Sequence, residues 1–133
     1  MSNIAIICEK LAMQSRLLAE IVRKHGFFTP YILENHNDLP LASTPKASLA
    51  ILAYNYADFD GAGLNHMFAL QLEQPHLYGI LSSSTFHGNL RERTLAKLKD
   101  PPLEFISKPY DFAAIERALN NARNYSLTRR IAS

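Results

Sequence analysis

Five consecutive apolar residues, Leu49-Ala50-Ile51-Leu52-Ala53, dominate the run 48–61 and give way at once to Tyr54-Asn55-Tyr56-Ala57-Asp58-Phe59-Asp60-Gly61. A short segment that is apolar at every position, rather than at every second one, is covered on both faces. That is the environment of a central strand in a parallel sheet with helices on each side. Sheets of this kind place ligands and chemistry beyond the carboxyl ends of their strands, here around residues 53–55. The acidic, glycine-terminated segment reads as the loop into the next helix and is the first place to look for a site.

The remaining chain supplies further strands with helices between them. Ile4-Ala5-Ile6-Ile7 reads as a buried parallel strand that hands over at Cys8-Glu9-Lys10. Over residues 11–25, Leu11, Leu18, Ile21 and Val22 recur at helical spacing, interrupted by polar Gln14 and Ser15, and Gly26 supplies a stop. His25 falls in the last turn, where it reads as a capping residue in the field of the helix dipole. Residues 27–33 are aromatic and β-branched with one proline, Pro30, which suits an edge strand. Residues 34–46 contain Asn35, Asn37, Asp38, Pro40, Ser43, Thr44 and Pro45 and leave room for a helix of barely two turns. Residues 62–74 carry Leu64, Met67, Phe68 and Leu72 at helical spacing ahead of Pro75. Residues 77–81 read as a fourth strand delivering Ser82 to Thr85 to the same sheet edge as Ala53. A basic fourth helix over 89–99 is stopped by Asp100-Pro101-Pro102, residues 103–107 form the fifth strand, and 111–123 the last helix with Asp111 as its cap. Five strands alternating with five helices predict a doubly wound α/β sandwich, flavodoxin-like, with a parallel sheet in the order 2-1-3-4-5.

At 133 residues the chain is sized for one domain, expected over 1–125, with 126–133 as a basic tail or the start of a linker. Its single cysteine, Cys8, excludes an internal disulfide framework and suits a reducing cytosol. No apolar run approaches the roughly 20 residues of a membrane span, and the start lacks the order of a signal peptide. A net charge of +2 is too small to predict a partner. Arg123, Arg129 and Arg130 near the end read as a solvated tail, and nucleic-acid binding through them is weakly supported.

The loop at Asp60-Gly61, the segment Phe105-Ile106-Ser107-Lys108-Pro109-Tyr110-Asp111 and the five-strand order together resemble the receiver domains of response regulators, over about residues 4–123. The resemblance implies that Lys108 matches the characteristic lysine of that family and Phe105 its rotamer-switching aromatic residue. Ser82, or Ser83 if the strand slips by one, matches the hydroxyl that contacts the phosphoryl group. It further implies a cis bond at Lys108-Pro109. The same alignment puts Ala53 at the phospho-accepting aspartate and Ala57 at a usual proline, and the acidic pair falls on Cys8 and Glu9. Only Glu9 and the Asn55 carbonyl are left for Mg²⁺, which wants oxygen ligands with carboxylate charge. Without an aspartate at position 53 no acyl phosphate can form there. The expectation is a degenerate pseudo-receiver: no enzyme, no cofactor, no metal, and signal transduction by phosphorylation-independent protein contact. Lys108 is expected to pair with Glu9 across the pocket, Cys8 to be a small buried thiol, and Asp58 and Asp60 to be loop and cap residues.

Two other classes compete. One is a phospho-switch with an unusual acceptor. The other is a small flavodoxin-like ligand-binding or enzymatic domain, since Ser82 to Thr85 with His87 imitate a nucleophile and base. Against it, the sequence has no Gly-rich phosphate loop, no paired metal-ligand histidines and no Gly-x-Ser-x-Gly elbow. Receivers generally self-associate or meet targets through the fourth helix, fifth strand and last helix. Here Arg91, Arg93, Lys97 and Lys99 would oppose Glu104, Asp111 and Glu116, with Tyr110 as an aromatic anchor, which suits a two-fold homodimer. The bland alternative is a solvated face with local ion pairs worth about 0–1 kcal/mol each.

Overall fold

The computed structural model describes residues 3–33, 45–54, 61–84 and 90–132, with the side chains of 90, 92, 93 and 130–132 left out of the description. The elements are β1 (Ile4–Cys8), α1 (Ala12–His25), β2 (Thr29–Ile32), β3 (Leu49–Ala53), α2 (Ala62–Glu73), β4 (Tyr78–Ser83), α3 (Leu90–Leu98), β5 (Leu103–Ser107) and α4 (Phe112–Ala132). The expected short helix over 34–46 falls largely on residues outside the described set. The helices expected fourth and fifth in the chain are therefore α3 and α4.

The five strands form one sheet in the order β2-β1-β3-β4-β5. Every pairing is parallel, and the register sets Ala5 beside Leu49, Ala53 beside Ser82, and Ser83 beside Ser107. All five residues of β3 are buried, as a central strand covered on both faces requires. Because strand side chains alternate, β1 divides its residues between two apolar layers. Ala5 and Ile7 join Leu49, Ile51 and Ile80 under α1 and α4, through Leu18, Val22, Ile115 and Leu119. Ile6 and Cys8 join Ala50, Leu52, Ala53 and Leu81 under α2, through Met67 and Leu70. Each fully buried aliphatic side chain in these layers contributes about 1.5–3 kcal/mol.

The ends of the elements follow their letters. Gly26 closes α1 at φ 90°, the left-handed conformation that only glycine adopts at little cost. Pro30 sits in β2 at the sheet edge, where its missing N–H leaves no gap in the ladder. Asp111 caps α4, its side chain accepting from the Ala113 N–H at 3.1 Å.

Two expectations need correction. On α2 the buried positions are Ala62, Gly63, Met67, Leu70 and Gln71, while Phe68 and Leu72 face outward. The rotation is set at Gly63, whose N–H donates to the Tyr54 carbonyl at 2.7 Å and whose Cα lies so close to β3 that a Cβ would sit 1.8 Å from the Ala53 carbonyl oxygen. The last helix does not stop at Arg123. It runs to Ala132, across the boundary expected at 125, because Tyr125 and Arg129 both bind Asp100 in the turn before β5. Arg129 also lies over the Tyr125 ring at 5.3 Å.

Candidate functional site

The carboxyl ends of β1, β4 and β5 meet around one side chain, Glu9. Its carboxylate is only 1% exposed and draws donors from three directions. Oε1 accepts from the Lys108 ammonium at 2.7 Å and from the Lys10 backbone N–H at 3.1 Å. Oε2 accepts from the Tyr110 phenol and from Ser82 Oγ at 3.4 Å, and these two hydroxyl oxygens lie 3.0 Å apart. Lys108, at the turn after β5, reaches in with an 18% exposed side chain. Its ammonium also meets Gln14 Oε1 of α1 at 3.3 Å and lies 5.9 Å from the centre of the Tyr110 ring. The Lys108-Pro109 bond is cis. Burial, and then the hydrogen bond to Glu9, raise the Tyr110 phenol well above its ordinary pKa, so it acts here as a fixed donor.

Ala53 ends β3 next to Ser82 and belongs to the apolar layer under α2, together with Cys8. Phe105 is half-buried and packs against that same layer. Of the expected pocket residues, then, the structure brings Glu9, Ser82 and Lys108 together. It places Cys8 and Ala53 in apolar packing, while Asn55, Asp58 and Asp60 lie outside the described residues. The hydroxyl in contact is that of Ser82; Ser83 contributes its carbonyl, which accepts from the Lys108 N–H at 2.7 Å.

Two members of the cluster were not foreseen there. Tyr110, expected as an outward anchor, points its hydroxyl inward to Glu9 and Ser82. Gln14, which breaks the apolar stripe of α1, supplies a second acceptor for Lys108. The polar interruption of that stripe was the available signal.

The described residues do not fit Mg²⁺. Such an ion needs oxygen ligands with uncommitted lone pairs, whereas Glu9 already accepts from an ammonium, two hydroxyls and an amide. The Ser82 hydroxyl touches a carboxylate yet is buried, so the contact offers no open nucleophile and base. What the arrangement does is tie the ends of β1 and β4 to the turn before α4.

Of the residues expected on the α3–β5–α4 side, Arg91, Lys97, Asp111 and Glu116 are exposed, and the side chain of Arg93 lies outside the described residues. Glu104 does not join them. It is 7% exposed, because alternation along β5 turns it inward beside Ile106, and its Oε1 accepts from the Tyr78 phenol at 2.6 Å and from Asn121 at 3.2 Å. Burial and this bond raise the Tyr78 pKa far above the usual phenol value. With Glu104 and Tyr110 both directed inward, the expected acids left exposed there are Asp111, engaged in its cap, and Glu116.

A five-stranded parallel sheet in the order 2-1-3-4-5, with helices on both faces, is the flavodoxin-like fold of receiver domains. Solved structures with this architecture superpose on nearly the whole chain. A signal receiver domain from Vibrio parahaemolyticus matches with a TM-score of 0.75 at 13% identity, covering 100% of this chain and 99% of its own. A signal receiver domain of an HD domain-containing protein from Pseudomonas fluorescens matches at 0.72 and 17% identity, covering 97% of this chain and 92% of its own. NtrX from Brucella abortus matches at 0.71 and 17% identity over 99% of this chain but 29% of its own. No family model and no curated protein sequence matches the chain. Among the described residues no helix is long and apolar enough to cross a membrane.

Proposed function

We propose that this chain is a non-enzymatic receiver-like domain that carries signals by protein contact, without an acyl phosphate at the end of β3. One observation carries the reading: beside an apolar Ala53, the Glu9 carboxylate is fully engaged by Lys108, Tyr110 and Ser82. In a working phospho-switch a lysine and a hydroxyl greet the incoming phosphoryl group. Here the same residue types are engaged within the protein, and position 53 carries an alanine in place of an acceptor carboxylate, which together support the reading.

The test is incubation with Mg²⁺ and a small phosphodonor, read by intact mass, alongside thermal melts with beryllofluoride. The expected result is no adduct and no shift in melting temperature, since a ligand stabilises the folded state only by binding it. A stoichiometric phosphoryl adduct, or saturable stabilisation by beryllofluoride, overturns the proposal.

A further inference from the structure

Large exposed apolar side chains occur on all four helices, Met13 and Leu17 on α1 and Phe112 and Leu127 on α4 among them, but four others stand on two neighbouring helices. Phe68 is 44% exposed, Leu72 83%, Leu95 56% and Leu98 75%. They belong to α2 and α3, which cover the same face of the sheet: Met67 and Leu70 of α2 pack into the layer that Ala96 of α3 also touches. Lys99 fixes which flanks of the two helices meet. Its ammonium bonds Gln71 Oε1 at 2.8 Å and stands 5.7 Å from the centre of the Phe68 ring. At about 100° per residue, Gln71, Phe68 and Leu72 then climb one flank of α2 from core to solvent. Lys99, Leu95 and Leu98 climb the facing flank of α3 in the same way. The four apolar residues therefore line a groove between two parallel helices, with Gln71 and Lys99 as its floor.

The floor carries an unbalanced charge. Lys99 is half-buried and bonds only neutral oxygens, Gln71 Oε1 and the Pro101 carbonyl at 2.7 Å; among the described residues no carboxylate pairs with it. Exposed Arg91 stands on the same flank of α3. An apolar groove with cations on its floor and along one wall is complementary to an amphipathic helix whose apolar stripe includes a carboxylate.

We propose that the α2–α3 groove docks such an acidic amphipathic helix from a partner protein, the carboxylate meeting Lys99 and the apolar stripe covering Phe68, Leu72, Leu95 and Leu98. This rests on the reading of the chain as a domain that works by protein contact, and it places that contact away from the α3–β5–α4 surface.

The test pans the full chain against a displayed library of random peptides about 16 residues long, roughly 24 Å as helix, in buffer without Mg²⁺ or phosphodonor. Enriched peptides are expected to carry apolar residues at i, i+3 or i+4, and i+7 with Asp or Glu among them. They should shift the amide NMR signals of residues 64–73 and 91–99. They should bind roughly tenfold or more weakly to Leu72→Ser and Leu98→Ser proteins, and as weakly when their acids become Lys. Both substituted side chains are exposed, so the melting temperatures should match the parent's. The proposal is overturned by failure to enrich any peptide, by enrichment of basic or extended ones, or by binding that maps elsewhere and ignores both variants. Light scattering that shows self-association lost in Leu98→Ser would instead assign the groove to a second copy of this chain. A phosphoryl adduct in the mass experiment would remove the phosphate-independent reading while leaving the groove mapping intact, so the two failures are told apart.

Discussion

Replacing Lys108 by Met removes the ammonium from Glu9 and leaves the methylene stem in place. Deleting one partner of a buried ion pair typically costs about 3–5 kcal/mol, because the other charge stays behind uncompensated. Two features lower that figure here. Glu9 keeps three neutral donors, from Tyr110, Ser82 and the Lys10 N–H, and Lys108 is 18% exposed and so partly screened. The expected loss is about 2–3 kcal/mol, or roughly 6–15 °C in melting temperature for a chain of this size. Glu9→Gln should cost less, about 1–2 kcal/mol, since the amide oxygen still accepts from the hydroxyls and Lys108 retains Gln14 and water. The assay is urea unfolding of both single variants and the double variant, where the double should lose about 1–2 kcal/mol less than the sum of the singles. If Lys108→Met costs under about 0.5 kcal/mol and the double is additive, the pair is a solvated surface contact. The account of Glu9 as a buried carboxylate held by Lys108 then fails.

Three further outcomes follow from the packing. Stability should fall as pH rises above 10.0, where an unfolded phenol ionises while Tyr78 and Tyr110 keep their protons in the folded chain. The folded state then binds more protons, so each phenol removes about 1.4 kcal/mol per pH unit, and Tyr110→Phe should remove one share of that slope in urea midpoints measured from pH 9 to 11; equal slopes for parent and variant would refute it. Gly63→Ala would drive a methyl into the Ala53 carbonyl and should cost about 3 kcal/mol or more, so a variant melting within a degree of the parent would contradict the close approach. Glu104→Ala leaves the Tyr78 phenol and Asn121 without their acceptor and should cost about 2–3 kcal/mol, whereas Glu116→Ala, on an exposed position, should stay within about 0.5 kcal/mol; thermal melts that rank them equally would place Glu104 at the surface after all.

The sheet was legible because its signals are local. An all-apolar Leu49–Ala53, a glycine after His25 and a capping aspartate at 111 each state their structure within a few residues. The meeting of Lys108 with Glu9 was legible through the resemblance, which fixed where two strand ends converge. What escaped was decided by partners distant in sequence. Glu104 reads as a surface charge until Tyr78, on the neighbouring strand, offers it a phenol. The arginine-rich end reads as a tail until Asp100 anchors Tyr125 and Arg129. The rotation of α2 depends on how closely one glycine approaches β3, which periodicity alone does not reveal. Tyr110 was recognised as important but aimed the wrong way, since the turn after Pro109 sets its direction.

The contacts around Glu9 join residues 73, 99 and 101 positions apart in the chain. No hairpin or single helical crossover can bring them together: β1, β4 and the turn into α4 must all be in place first. Loop-closure entropy makes such contacts late ones, so the cluster acts as a latch on a finished sheet, contributing little to the barrier for folding and much to the barrier for unfolding. Loss of Lys108 should accordingly appear in stopped-flow traces as faster unfolding with a nearly unchanged folding rate. A residue type that elsewhere reports on phosphate would here govern how long the folded domain lasts.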